Sequence, residues 1–259
     1  MFSKKITQYL LRGFVSSSLF VLLPYAPITV THAAPPGTCE LASQVSELRK
    51  LQGGTGEKNP QGLLTELQAR KNILTTILSC SLKEVRGLSL NINDLSLPSE
   101  SLKPVKNRLG NAFNETIAYY EAQKLKIDTL GIQGSKDLAK NILEWRIGNY
   151  APLSEKTVSF ILWAKNQYLI KAANQRSAQI TQTIKALKLT EDADIKKLLA
   201  DANVNLLAAE ETNLLTEKAF INDEEHYADS LKESLEKLAL TYQNFFDLSE
   251  AVNKILPHY

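Results

Sequence analysis

The chain of 259 residues carries 30 basic and 28 acidic side chains, and its formal net charge is +2. Three of the basic residues and none of the acidic ones lie in residues 1–33, so the remainder has a net charge of −1. A protein that binds nucleic acid through its phosphates needs a basic surplus. We therefore expect no nucleic-acid partner.

Residues 1–33 have the order of a secretory signal peptide. Three basic residues come first, an apolar run at about residues 13–30 follows, and small residues close the segment. We predict cleavage after Ala33 and export to the periplasm, the cell surface or the extracellular space, and the basic start suits a bacterial pathway. An uncleaved anchor is the alternative, because the run is about long enough to span a bilayer. Two prolines late in the run disfavour that alternative.

The next segment, residues 34–97, predicts a helical hairpin. Leucine and valine recur at four- and three-residue steps from Leu41 to Leu51, which indicates a helix over residues 40–51. Asn59 and Pro60 then have the pattern of an N-cap followed by proline at the first helical position. We predict that the second helix runs to about residue 85, antiparallel to the first.

Two cysteines, Cys39 and Cys80, lie in this hairpin. In an oxidising compartment such a pair is typical of a disulfide, and the hairpin brings the two positions together. Closing so long a loop stabilises a fold by about 4 kcal/mol in the chain-entropy description. The alternative is two free thiols, one of them catalytic. We predict the structural disulfide.

The rest of the chain, residues 98–259, predicts a bundle of long helices. All 11 glycines lie at or before Gly148, and the chain has no proline between Pro152 and Pro257, which favours long helices with short turns. After a coil from about residue 87, we predict helices over about residues 98–129, 135–151, 154–187, 190–220 and 223–256. Pro152 is expected to break or kink the chain, and Thr190 to cap the helix that follows it. The predicted class is an all-α long-helix bundle with a disulfide-linked N-terminal hairpin. The hairpin either packs with the bundle as one unit or is a loosely attached second one.

Four consecutive apolar residues, Phe160 to Trp163, occupy one turn of the predicted helix over residues 154–187. Successive helical residues point about 100° apart, so we predict that this turn is buried on all sides in the middle of the bundle. Farther along, amide side chains surround a single apolar stripe, which places the second half of the helix at the surface. Only eight residues separate Lys156 from Lys165, so we expect no transmembrane helix once the signal is removed.

Six residues around Pro152 form a candidate ligand-binding set. Aromatic, arginine and amide side chains are typical of binding sites, and the set is Trp145, Arg146, Tyr150, Asn166, Asn174 and Arg176. The alternative is that Trp145 belongs to the core and Arg146 pairs with a neighbouring acid. Asp223 and His226 have a spacing that could hold a metal on a helix. Without a second such motif we expect a solvated acidic face there and no metal or other cofactor.

Charge divides the chain into two parts. Residues 34–190 hold 21 basic and 13 acidic side chains, whereas residues 191–259 hold 6 basic and 15 acidic ones. The last two predicted helices therefore form an acidic unit against a basic remainder. Three interpretations are open: the acidic pair packs on the basic helices of its own molecule, it pairs head-to-tail between molecules, or the basic surface faces an anionic lipid or glycan.

These patterns favour an exported, non-enzymatic helical scaffold or interaction protein of the cell envelope or secreted space. We expect its partner to be a protein, either a second copy or an envelope protein. No serine or cysteine has a histidine base nearby in the sequence, so nothing indicates nucleophilic catalysis. The alternative is a membrane-interacting or pore-forming helical protein, which would need a concealed apolar hairpin of membrane length.

Overall fold

The computed structural model describes residues 41–52 and 59–255, and every regular element in these residues is helical. Seven α-helices follow one another: α1 (Ala42–Gln52), α2 (Pro60–Asn93), α3 (Lys103–Lys126), α4 (Ile132–Trp145), α5 (Ala151–Ala186), α6 (Ala193–Asn222) and α7 (Tyr227–Ile255). Short 3-10 turns, Glu100–Leu102 and Ile127–Thr129, flank α3, and a π-turn, Arg146–Tyr150, joins α4 to α5. The predicted all-α class is confirmed.

The first two helices pack against each other in antiparallel order. The Thr76 hydroxyl donates to the Gln44 side chain at 3.4 Å, and the Gln52 amide donates to Glu66 at 3.5 Å. The start of α2 is as predicted, because the Asn59 side chain accepts a hydrogen bond from the backbone N–H of Gly62 at 2.8 Å. Cys39 and the signal segment lie outside the described residues, so the disulfide and the export signal stay predictions.

The predicted coil after residue 87 is wrong in its first part, because α2 continues to Asn93. Val85, Ser89 and Ile92 are buried at steps of four and three residues, while Leu90 on the opposite side is exposed. The segment therefore buries one helical face, and the gain from this burial outweighs the weak helix propensity of its glycine, serines and asparagines. Its sequence alternates polar and apolar residues, and that alternation concealed the helical spacing.

Pro152 does not break the chain. The structure shows one continuous helical rod, residues 132–186, in which α4, the π-turn and α5 follow without a gap, and we call it the long rod. Within a helix a proline removes the N–H that would serve the carbonyl four residues earlier, and its ring crowds that carbonyl. Here the Ala151 N–H bonds to the Arg146 carbonyl, the wider spacing of a π-turn. Pro152 thus occupies the first turn of α5, where proline is tolerated.

Two apolar cores meet along the long rod. The first joins α2, α3 and α4 to the start of α5 and also includes Phe220 of α6 and Leu231 of α7, whereas the second joins the rest of α5 to α6 and α7. The first core thus combines residues from both units that the sequence predicts. On α5, Ala164 belongs to the first core and Ile170 to the second. The first core includes Leu78, Val85, Phe113, Tyr120, Phe160, Trp163, Phe220 and Leu231, and the second includes Ala173, Ile184, Ile195, Leu206, Leu238 and Leu248.

A buried polar layer separates the two cores, and we define it as Asn166, Asn213 and Ser234. Each of these residues is at most 1% exposed. The Asn166 amide donates to Asn213 Oδ1 at 3.0 Å and to Ser234 Oγ at 2.8 Å, and Ser234 Oγ donates to the Ala209 carbonyl at 2.7 Å. Trp163 adds a bond from its indole N–H to the Asn213 carbonyl at 3.0 Å. The layer therefore joins α5, α6 and α7.

The opening turn of α5 is less deeply buried than the sequence predicts. Phe160 and Trp163 are fully buried, but Leu162 between them is 44% exposed. The expectation of burial on all sides is wrong, because the side of α5 that carries Val158 and Leu162 is exposed to solvent. The second half of α5 is as predicted: one stripe, including Ala173 and Ile184, is buried in the second core, and the other faces are exposed at Gln175, Gln179 and Gln182.

Helices α6 and α7 form an antiparallel pair with a regular seam. On α7 the buried positions alternate steps of three and four residues: Leu231, Ser234, Leu238, Thr241, Phe245 and Leu248. The four- and three-residue spacing in the sequence predicts a bundle or coiled-coil seam here, formed by Leu231, Leu235, Leu238, Tyr242, Phe245, Val252 and Leu256. Leu231, Leu238 and Phe245 are buried as predicted, Leu235, Tyr242 and Val252 are half-buried, and Leu256 is outside the described residues. The predicted cap at Thr190 is wrong: Asp192 caps α6, since its carboxylate accepts from the N–H groups of Asp194 and Ile195.

Replacing Asn166 by alanine tests the polar layer. The change removes two hydrogen bonds and leaves buried groups on Asn213 and Ser234 without them, so we expect a loss of about 1–3 kcal/mol in the free energy of unfolding. Urea denaturation followed by circular dichroism measures it. Gln175→Ala, on an exposed position of the same helix, is the matched control and should cost less than about 0.5 kcal/mol. Equal losses in the two variants would contradict the role given to the layer.

Candidate functional site

Three of the predicted site residues meet at the π-turn. Trp145, Arg146 and Tyr150 lie against α2 and α3, and together with their neighbours they form what we call the π-turn cluster. Its members are Ser81, Glu84, Tyr119, Tyr120, Trp145, Arg146 and Tyr150. Irregular helix geometry is frequent at functional sites, so this cluster is the first candidate.

Arg146 is held within the cluster by several partners. Its guanidinium donates to Glu84 Oε2 at 2.7 Å and to Ser81 Oγ at 3.5 Å, and it lies 4.8 Å from the centre of the Tyr150 ring. Burial alone would lower the pKa of Arg146, but the hydrogen bond and the charge of Glu84 raise it above its ordinary value. The guanidinium thus already has a counter-ion, and that reduces the attraction it offers to an added anion.

The aromatic members stack around this ion pair. Trp145 is parallel to Tyr119 at 4.0 Å between ring centres and contacts Tyr120 edge-on at 5.3 Å. Tyr120 and Tyr150 are buried, and neither hydroxyl has a hydrogen-bond partner among the described residues. Burial raises the pKa of both hydroxyls, and for Tyr150 the charge of Glu84 adds to the effect. Both hydroxyls are therefore neutral at ordinary pH.

The other three predicted site residues lie elsewhere. Asn166 is buried in the polar layer. Asn174 donates to the Glu210 carboxylate on α6 and to the Ile170 carbonyl at 3.3 Å. Arg176 is half-buried farther along α5, in its second half. The predicted set is therefore divided among three places, one of which is the π-turn with Trp145, Arg146 and Tyr150.

A charged corner connects the basic and acidic parts of the molecule. Asp223 ends α6 with a left-handed backbone conformation, φ 61°, and its carboxylate contacts Lys156 and, at 3.3 Å, Arg108. The hydrogen bond from Lys156 lowers the pKa of Asp223, and the charges of Lys156 and Arg108 add to this effect. The acidic pair α6–α7 thus packs on α5 of its own molecule, one of the three arrangements left open.

The candidate metal position is also part of this connection between α6 and α7. Asp223 is engaged by the two cations, and His226 Nε2 lies 3.1 Å from Glu224 Oε2. Within residues 41–52 and 59–255, no three histidine, cysteine or carboxylate side chains cluster as metal ligands would. Over the same residues, no helix combines the length and apolar content needed to cross a membrane.

Sequence reasoning missed an apolar surface on the outside of α6. Val204, Leu207 and Leu214 are 50–68% exposed, and with Glu211 they follow steps of three, four and three residues. Such spacing places them on one face of the helix, which we call the α6 outer face. The sequence has two pairs of adjacent leucines here, Leu206–Leu207 and Leu214–Leu215, and a single buried stripe has room for only one leucine of each pair. These extra leucines were the signal in the sequence that an apolar surface is exposed on α6.

Comparison of the chain with protein-family models, with curated proteins and with solved structures finds no match. The sites described above are therefore interpreted from the contacts of this chain alone.

A double-mutant cycle on Arg146 and Glu84 tests whether the π-turn cluster holds helices together. Arg146→Met, Glu84→Gln and the double variant should give a coupling of about 1 kcal/mol in urea denaturation, because the pair joins two helices in a partly buried position. The two side chains are 37% and 24% exposed.

The control is the more exposed pair Arg86–Glu121, at 56% and 50%, which is of the same chemistry and also joins two helices. Its coupling should be about 0–0.5 kcal/mol. If Arg146–Glu84 couples no more strongly than this control, the cluster does not act as a structural contact, and the ligand-binding interpretation gains.

Proposed function

We propose that this chain is an exported helical interaction protein of the cell envelope or secreted space, which acts by binding a protein partner rather than by catalysis. The order of residues 1–33 supports export, since it has the charge, apolar and small-residue regions of a signal peptide. A disulfide between Cys39 and Cys80 is part of the proposal and suits an oxidising compartment.

One observation carries the binding role: the α6 outer face exposes leucine and valine side chains in helical register. Scattered exposed apolar residues are ordinary on protein surfaces, but aligned ones mark interaction sites. Residues at these steps contact a partner helix or a groove as a row of anchors. We propose that a partner covers this row.

The packing of α6 against its neighbouring helices supports this role. Its inner side is packed against α5 and α7 through Ala202, Leu206 and Ala209, and the polar layer holds Asn213. Because α6 is already fixed by its packing, few of its side chains lose conformational freedom when a partner binds. The entropic cost of binding is therefore small. Carboxylates accompany the row, with Glu211 on the face and Glu210 beside it, so we propose a partner with basic residues around its apolar contacts.

Capture of partners from the native envelope fraction tests the proposal. Tagged protein is cross-linked, purified and examined by mass spectrometry, in parallel with a variant that carries Leu207→Ser and Leu214→Ser. We expect a stoichiometric protein partner with the unchanged chain and at least a tenfold loss with the variant, because each buried leucine contributes about 1.5–3 kcal/mol.

Leu240→Ser, at a 50% exposed position of α7, is the matched control and should retain the partner. Equal recovery by the α6 variant and by the control would contradict binding at the α6 outer face. Recovery by any form of neither another protein nor cross-linked multimers of the chain itself would contradict the interaction role.

A further inference from the structure

We propose that the partner of the α6 outer face is a second copy of this chain, which docks through the outer side of its α4. This inference rests on the proposed function and names the partner. It is carried by two exposed faces of one molecule whose patterns of apolar and charged residues are complementary.

The second face lies on α4 and the π-turn, and we call it the α4 outer face: Lys136, Lys140, Leu143 and Ile147. Leu143 and Ile147 are 57% and 64% exposed. Lys136, Lys140 and Leu143 follow steps of four and three residues, so they share one side of α4, and exposed Ile147 continues the row into the π-turn. Among the described residues Lys140 pairs with Glu144 one turn along the same helix, at 3.7 Å, and both side chains are exposed, so this pair is weak.

The two faces match when the helices run antiparallel. Ile147 then meets Val204, Leu143 meets Leu207, and Lys140 meets Glu211, because both rows advance by alternating three- and four-residue steps along the helix. Lys136 reaches Leu214, which its aliphatic stem can cover while the ammonium group stays in water. In the parallel arrangement that also pairs Lys140 with Glu211, Ile147 would meet Lys218 and Lys136 would meet Leu207. The antiparallel arrangement therefore leaves fewer apolar side chains without apolar partners.

The distribution of charge favours the same pairing. The α4 outer face belongs to residues 34–190, which have a surplus of eight basic residues, and the α6 outer face belongs to residues 191–259, which have a surplus of nine acidic ones. Opposite charge steers two copies into a head-to-tail approach and disfavours the contact of like faces. Both faces are exposed within one molecule, so each is open to another copy.

Such a contact is heterologous, because the two copies use different surfaces. A heterologous contact leaves one face free at each end, so association continues into chains or closes into a ring. The structure thus assigns this protein a self-assembling arrangement in which each copy contributes α4 to one neighbour and α6 to the other.

Sedimentation velocity of the purified protein, over a range of concentrations and at low and high salt, tests the inference. We expect the average mass to rise with concentration at low salt and to fall at high salt, since screening weakens exposed charge pairs. Lys140→Glu and Glu211→Lys should each weaken association about threefold to tenfold. The variant that carries both reversals restores the opposite charges and should associate within about twofold of the unchanged protein.

Controls separate this contact from others. Leu143→Ser should also weaken association, whereas Leu240→Ser on α7 should leave it unchanged, and circular dichroism confirms that each variant is folded. A protein that stays monomeric at all concentrations and salt levels overturns the inference, as does association that neither charge reversal affects. Either result leaves the proposed function to be judged separately, by whether captured partners depend on Leu207 and Leu214.

Discussion

The fold depends on one helix that two cores share. Phe160 and Trp163 at the start of α5 pack in the first core, and Ile170, Ala173 and Ile184 farther along pack in the second. Helix α5 is also continuous with α4 through the π-turn, so the same rod carries Trp145 and Arg146 to their contacts with α2 and α3. Since the rod is one continuous run of helix that packs in both cores, it connects the α2–α4 side to the α6–α7 pair.

The polar layer sets how α5, α6 and α7 are aligned. Apolar side chains along a seam of this kind can still pack when one helix shifts by a heptad. Asn166 can hydrogen-bond to Asn213 and Ser234 in one register of the helices only. The layer also has a cost, because Asn166 Oδ1 and Asn213 Nδ2 are buried without hydrogen-bond partners among the described residues. In the proposed function this alignment matters, since it decides which side of α6 is turned outward and therefore which leucines the proposed partner would contact.

The sequence predicts what depends on local spacing and fails where tertiary packing decides. The start of α2 could be predicted because Asn59 and Pro60 act within one turn. The continuous helix through Pro152 could not be predicted in this way. The energetic cost of a proline inside a helix depends on whether the preceding turn widens into a π-turn. Asn166 is a polar residue whose burial requires Asn213 and Ser234, which lie 47 and 68 positions away in the chain.

In the candidate sites, too, the features set by local spacing were predictable and those set by tertiary packing were not. Trp145, Arg146 and Tyr150 are close in sequence, so their proximity was predictable, but Glu84 reaches Arg146 from 62 positions away. The α6 outer face was missed because each of its leucines has an adjacent residue that could take the buried position. Leu206 and Leu207 cannot be assigned to the inside or outside until the register of α6 against α5 is known.

The measurement that tests this account most directly is amide hydrogen exchange through the π-turn, at residues 146–151 and 153–156. Proline has no N–H, so one helical carbonyl lacks a hydrogen-bond donor, but every other amide still has a carbonyl acceptor. In a continuous rod each of these amides is therefore hydrogen-bonded. The account predicts exchange at least about a thousandfold slower than in an unstructured chain, comparable with the neighbouring turns of α4 and α5. Exchange of these amides at unstructured rates, with protection on both sides, would show two separate helices and contradict the shared rod.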